Sequence, residues 1–212
     1  MSGDFFVTGT DTGIGKTLLS SLLVAALNRK YWKPIQSGAC EGTDRETVMK
    51  WAGVAADRTF PESYIFEFPV SPHFAAEREG KSVELSRIRR PASSDALIIE
   101  GAGGLLVPLN DEALMLDLIR ELRTPVIVAA RTSLGTINHT LLTLEALRRR
   151  SITIAGIVLV GSPEPHTREA LEELGAVPIV GEMPRFDSLT FEALAAWAPT
   201  GLDPVGRLLA YL

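Results

Sequence analysis

The stretch that most constrains this 212-residue chain lies at its amino end. A short apolar run, Phe5-Phe6-Val7-Thr8, passes directly into Gly9-Thr10-Asp11-Thr12-Gly13-Ile14-Gly15-Lys16-Thr17, and an apolar helical pattern begins at once. A strand, a glycine-rich turn, Gly-Lys-Thr and a helix are the context of a phosphate-binding loop. Glycines let backbone N–H groups turn inward on a polyphosphate, and the helix N-terminus adds partial positive charge. In that reading Gly13, Ile14, Gly15, Lys16, Thr17 and Leu18 bind nucleotide, with Lys16 on the β/γ-phosphates and the Thr17 hydroxyl on Mg²⁺. Five residues separate Gly9 from Gly15, one more than the plain motif. A dinucleotide fingerprint starting at Gly13 fails, because Leu18 stands where its third glycine belongs.

The rest of the chain repeats the alternation. Strands are expected at Phe5–Thr8, Tyr31–Gln36, Ala96–Glu100, Val126–Ala130, Ile154–Val160 and Pro178–Val180. Helices are expected at Lys16–Arg29, Arg45–Ala52, Leu114–Leu122, Ile137–Arg149, Pro165–Leu174 and Leu189–Trp197. Continuous apolar strands suit a sheet covered on both faces, and strand–helix–strand order demands right-handed crossovers. The expected fold class is therefore α/β, a doubly wound, mostly parallel sheet flanked by helices in one domain spanning residues 1–212. The segment Arg58–Pro91 is irregular and reads as an excursion from the sheet, a lid or an interface element.

Composition narrows the function classes. A net charge of −5 argues against nucleic acid as a partner. No apolar run reaches the roughly 18 residues of a membrane span. Met1-Ser2-Gly3-Asp4 lacks the basic and apolar regions of a secretory signal, and the lone Cys40 has no disulfide partner. A cytoplasmic location is expected.

A nucleotide site needs a second acid at the end of a neighbouring strand. Ala96-Leu97-Ile98-Ile99-Glu100 is the core strand that ends in one, and the glycines of Gly101-Ala102-Gly103-Gly104 would let backbone approach phosphate. Lys33, within Tyr31-Trp32-Lys33-Pro34-Ile35-Gln36-Ser37-Gly38, is a costly residue for an apolar strand unless paired or used. A second lysine near the loop suggests an anionic substrate such as a carboxylate or carbamate.

These blocks together resemble the dethiobiotin synthetase family. The resemblance rests on Thr8-Gly9-Thr10-Asp11-Thr12 with Gly15-Lys16-Thr17, on Trp32-Lys33-Pro34 with Ser37-Gly38, and on Ser71-Pro72-His73. It continues through Glu100-Gly101-Ala102-Gly103-Gly104, Leu134-Gly135-Thr136-Ile137-Asn138-His139 and Gly181-Glu182-Met183-Pro184, in family order. It implies ATP-dependent closure of the ureido ring of dethiobiotin from 7,8-diaminononanoate and CO₂, with Mg²⁺, through a carbamate and a carbamic–phosphoric anhydride.

The resemblance further implies that Asp44 and Glu100 join Thr17 around Mg²⁺, and that Gly101, Gly103 and Gly104 adjoin the nucleotide. Asp44 has a rival reading as a helix cap. Lys33 is implied to bind carbamate and γ-phosphate, Thr12 and Ser37 the reacting end of the substrate, and Ser71 and Pro72 its other side. Gly135, Thr136, Ile137 and Asn138 open a helix whose free N–H groups suit a carboxylate. In the family that loop comes from the second subunit of a homodimer. Val160 and Gly161 fall where many members carry an asparagine that reads adenine. His139 reads as a packed structural histidine, and Arg148-Arg149-Arg150 as a solvated helix end. Two other classes stay open: a partition-type ATPase switch and a related P-loop amide ligase.

Overall fold

Apolar runs that occur far apart in sequence pair into one parallel sheet, and a computed structural model describes them over residues 3–211. Met1, Ser2 and Leu212 lie outside the described residues, and with them the first half of the segment in which a signal was sought. The strands are β1 (Phe5–Gly9), β2 (Lys30–Trp32), β3 (Ile35–Ser37), β4 (Thr59–Phe60), β5 (Tyr64–Phe66), β6 (Leu97–Glu100), β7 (Val126–Arg131), β8 (Ile154–Val160) and β9 (Ile179–Met183). The helices are α1 (Lys16–Ala26), α2 (Asp44–Ala52), α3 (Pro72–Arg78), α4 (Met115–Leu122), α5 (Thr136–Arg149), α6 (Pro165–Gly175) and α7 (Phe191–Gly201). Seven strands form the main sheet in the order β4-β2-β6-β1-β7-β8-β9, every pairing parallel.

Side chains of β1 and β6 alternate between two cores, as a period of two requires. Phe5, Val7 and Ile98 pack with α1, α2 and α7, whereas Phe6, Leu97 and Ile99 pack with α3, α4, α5 and α6. The doubly wound, mostly parallel sheet expected from the alternation is therefore the fold observed. Because β1 sits between β6 and β7, the phosphate loop leaves the sheet centre at its carboxyl edge, where open α/β sheets bind ligands.

The structure corrects several boundaries. The expected strand Tyr31–Gln36 is two strands in two sheets, since β2 belongs to the main sheet and β3 pairs only with β5. Pro34 has no N–H for a ladder, and its carbonyl instead accepts from the N–H groups of Ser63 and Tyr64 at 2.8 and 3.0 Å. Lys33 thus lies in a break beyond the sheet edge and not within a strand. The Arg58–Pro91 segment is no simple excursion, because β4 forms the edge of the main sheet and β5 completes the small one. The first helix ends at Ala26 and not Arg29, with Asn28 in a left-handed turn leading into β2. The Arg148–Arg150 run is exposed, as expected of a solvated helix end, and is also paired: Arg148 donates to the Gly175 carbonyl, Arg149 meets Glu145 at 2.6 Å and Arg150 meets Asp117 at 3.0 Å.

Candidate functional site

The loop Gly9–Gly15 turns α1 back across the sheet edge. Gly15 at its head has φ 98°, where a side chain is strained, and a Cβ there would press on Met183 and Val160 side-chain carbons at 3.3 Å. Lys16 is buried, and its ammonium donates to the Asp11 carbonyl at 3.1 Å. The crest of the loop is tied down from β7, where the Arg131 guanidinium donates to the Thr12 carbonyl at 3.0 Å and meets Asp11 Oδ2 at 3.4 Å.

Beside Thr17 the structure assembles a group that is scattered in sequence. The Thr17 Oγ1 lies 3.1 Å from Asp44 Oδ1 and 2.9 Å from Glu100 Oε1. Lys33 Nζ contacts Asp44 Oδ2 and lies 3.4 Å from Glu100 Oε1. The Tyr31 hydroxyl donates to Glu100 Oε2 at 3.0 Å, a partner the sequence analysis did not single out. A tyrosine in an apolar strand carries no signal of its own. Only the neighbouring of β2 and β6 brings it to the acid.

Asp44 reaches this group because another residue caps its helix. Thr43 is the N-cap of α2: its side chain accepts from the Glu46 N–H at 3.2 Å, and the Thr43 N–H donates back to Glu46 Oε2 at 2.9 Å. The capping reading of Asp44 is thereby replaced. Its own N–H donates to Gln36 Oε1 at 3.1 Å, which fixes the helix start against β3.

Burial pulls the Lys33 ammonium toward neutrality, but the Glu100 and Asp44 carboxylates outweigh it and hold its pKa above the ordinary lysine value. Lys16 goes the other way: burial lowers its pKa, and the charge of Lys33 adds to this against the pull of Glu100. Burial and then the Glu100 carboxylate push the Tyr31 phenol well up, so it remains a donor.

A cleft of about 650 Å³ opens over these residues. Thr12, Gly13, Ile14, Gly15, Lys16, Thr17 and Leu18 line it, together with Lys33, Ser37, Asp44, Ser71, Pro72, Glu100 and Gly103. Ser37 lines it too, and its buried Oγ has no hydrogen-bond partner in the structure. Gly38, at φ 78°, lets β3 pass the loop after β5, where a Cβ would lie 3.1 Å from that of Pro69.

Other expected residues fall elsewhere. Gly101 backs onto the Phe6 ring, and Gly104 lines a neighbouring cleft with Thr10 and Leu106. Val160 and Gly161 line a separate cleft of about 410 Å³ beyond Gly13–Gly15, with Ser162 and Arg185. Gly135, Thr136, Ile137 and Asn138 do not reach the Lys33 cleft of their own chain. Thr136 lines a smaller one of about 290 Å³, and its hydroxyl is engaged with the Arg131 carbonyl at 2.6 Å. His139 is exposed and not packed.

The donor set suits a hard cation. Thr17 has one hydroxyl hydrogen, so it can satisfy only one of its two carboxylate contacts; the other brings two lone-pair oxygens together. Two carboxylates and a hydroxyl are a fitting protein share for Mg²⁺, which keeps waters and phosphate oxygens as its remaining ligands. Among the described residues no cluster of three or more His, Cys, Asp or Glu offers a different kind of metal site.

A parallel sheet with a phosphate loop at its centre, a buried lysine and an acid at the end of the adjacent strand defines a P-loop nucleotide-dependent protein. Solved structures share this architecture. A ParA family ATPase from Chlorobium tepidum superposes with TM-score 0.56 over 92% of this chain and 97% of its own, at 12% identity. A nucleotide-binding protein from Archaeoglobus fulgidus, in complex with ADP, gives 0.50 over 99% and 89%, at 13% identity. At such identities the likeness is of fold alone.

A family profile described as an AAA domain matches residues 4–193. The ATP-dependent dethiobiotin synthetase BioD of Agrobacterium fabrum is 47% identical over 92% of each chain. Those of Rhodopseudomonas palustris and Brucella anthropi are 43% identical over 96% and 47% identical over 92% of each chain. The chain belongs to the ATP-dependent dethiobiotin synthetase family, ligases that form a C–N bond in biotin biosynthesis.

Proposed function

We propose that the protein closes the ureido ring of dethiobiotin from 7,8-diaminononanoate, CO₂ and ATP. The observation that carries this reading is Lys33: a buried cation set beside Asp44, Glu100 and Thr17, directly across from the phosphate loop. A simple ATPase has no need of a second buried ammonium there. A reaction that brings an anionic nucleophile to the γ-phosphate does.

One substrate amine adds to CO₂ and loses a proton, giving a carbamate. Its oxygen attacks the γ-phosphorus while the bond to the ADP oxygen breaks, leaving a carbamic–phosphoric anhydride. The second amine then attacks the carbonyl carbon; the C–O bond to phosphate breaks, phosphate departs and the nitrogen loses its proton. Lys33 holds the carbamate and the transferred phosphoryl group, and Lys16 the β/γ-phosphates. Thr12 and Ser37 orient the reacting nitrogens, with Ser71 and Pro72 lining the same cleft. Thr17, Asp44 and Glu100 would hold Mg²⁺, which screens the phosphate charge. No covalent nucleophile is required, since positioning and charge stabilisation dominate phosphoryl transfer.

The loop Gly135–Asn138 stands apart from the Lys33 cleft of its own chain, which supports a homodimer whose second subunit supplies the carboxylate pocket. Among the described residues no helix is long and apolar enough to cross a membrane. A cytoplasmic location rests on the ATP requirement and on the single, exposed Cys40.

The test is an assay of the purified protein with diamine, bicarbonate, Mg²⁺ and ATP. Equimolar dethiobiotin, ADP and phosphate are expected. Phosphate release at the same rate without diamine would point to a nucleotide switch instead.

A further inference from the structure

The phosphate loop runs in one direction, and that direction says where the base must go. Lys16 serves the β/γ end and the Thr17 hydroxyl the metal beside it, so the group beyond the α-phosphate leaves past the next residue in the first turn of α1, Leu18. Lys33, Ser37, Ser71 and Pro72, assigned above to the substrate, line the same cleft. With Leu18, two further apolar side chains line the cleft: Trp51, from the last turn of α2, and Leu189, from the loop between β9 and α7. Leu189 is one of the large exposed apolar side chains, at 36%, and Trp51 is half-buried. The loop that carries Leu189 is docked on both sides. Phe186 packs edge-on against Trp197 at 5.8 Å, and the Phe191 ring lies so close to Gly53 that a Cβ there would be 2.9 Å away.

We infer that Trp51 is the stacking platform for the nucleotide base, with Leu18 and Leu189 as its apolar surround. The inference rests on the reading of the phosphate loop as the ATP site. A flat indole beside an otherwise aliphatic wall, open to the cleft, suits a planar aromatic ligand. Base–aromatic stacking is worth roughly a fivefold to hundredfold effect on affinity, and it tolerates any base because every base has a π-face. This matches the far side of the loop, where the Val160 side chain offers a base edge no hydrogen-bonding atom. The nucleotide is then held by its face at Trp51 more than by its edge at Val160.

The experiment uses the whole protein and calorimetric titration with ATP and with inorganic tripolyphosphate, which has the phosphates and no base. For Trp51→Ala, ATP binding is expected to weaken about tenfold or more while tripolyphosphate binds as to the wild type, which also shows the variant folded. Trp51→Phe should recover most of the ATP affinity, since it restores an aromatic face. Unchanged ATP affinity in Trp51→Ala overturns the inference, as does equal weakening for both ligands. Failure of ATP to bind the wild type would instead remove the nucleotide reading itself.

Discussion

The Tyr31 hydroxyl donates to Glu100 Oε2 at 3.0 Å, across strands that neighbour one another in the sheet and with both side chains buried. The bond occupies one carboxylate oxygen and leaves the other turned to Thr17 and Lys33. A buried carboxylate that lacks its donor is costly, about 1–3 kcal/mol or more. Tyr31→Phe should therefore lower the unfolding free energy by that amount in urea titrations. It should also raise the Mg²⁺ concentration for half-maximal activity about tenfold, as for other partners that orient a metal ligand. A variant with wild-type metal dependence would show that Glu100 needs no such support.

Lys33 meets Asp44 and Glu100, the two carboxylates proposed to hold Mg²⁺. Lys33→Ala removes the ammonium and leaves Asp44 and Glu100 facing each other. Turnover should fall roughly a hundred- to a thousandfold, the value of one charged contact made in the transition state, with ATP affinity nearly unchanged. In thermal unfolding without nucleotide, Mg²⁺ should raise Tm more for Lys33→Ala than for the wild type. An equal rise in both would show that the ammonium and the metal do not share the site.

Lys16 carries a cost in the empty protein. Burial is the largest influence on its pKa and lowers it from the ordinary value of 10.5. Folded protein then binds fewer protons than unfolded in the window just below that value, so this group makes stability rise with pH there. Lys16→Met should abolish that rise. At neutral pH it should raise Tm of the ligand-free protein by about 2–4 °C, the shift that 1 kcal/mol makes in a chain of this size. Stabilisation by ATP should be lost in the same variant. A lower Tm for ligand-free Lys16→Met would show that the bond to the Asp11 carbonyl outweighs the burial.

Val160 lines the cleft beyond Gly13–Gly15, and its side chain cannot pair with a base edge. ATP should therefore be preferred over CTP or GTP by less than about a hundredfold in kcat/KM, ~2.7 kcal/mol. Steady-state kinetics with the three nucleotides decides it, and a much larger preference would mean that Arg185 or Ser162 reads the edge.

Asn138 is exposed at the start of α5 and away from the Lys33 cleft of its own chain. If a partner's Asn138 loop completes the site, inactive Lys16→Ala and inactive Asn138→Trp proteins should regain part of the activity when mixed under conditions of subunit exchange. Exchange without recovered activity would place the carboxylate pocket within one chain.

The legible features were local ones. The strand, glycine turn and Gly15-Lys16-Thr17 are consecutive, so backbone sterics and helix-end electrostatics specify them without reference to the rest of the chain. The apolar runs of β6, β7 and β8 announced a covered parallel sheet for the same reason, since side chains on both faces must be apolar. Lys33 and Glu100 stood out because charge in an apolar strand demands an explanation. The break at Pro34 escaped the apolar pattern, because Trp32 and Ile35 are apolar in either sheet.

Sequence by itself thus determined the class of fold, the phosphate loop and the residue types that carry charge. Tertiary structure alone decided which of them meet. Thr17, Tyr31, Lys33, Asp44 and Glu100 converge because β2 and β1 flank β6 and because Thr43 takes the cap of α2. Strand order and cap ownership are set by global packing among many locally acceptable arrangements. A pattern along one chain encodes the period of each element, but the neighbour of each strand follows from burying all the apolar faces at once.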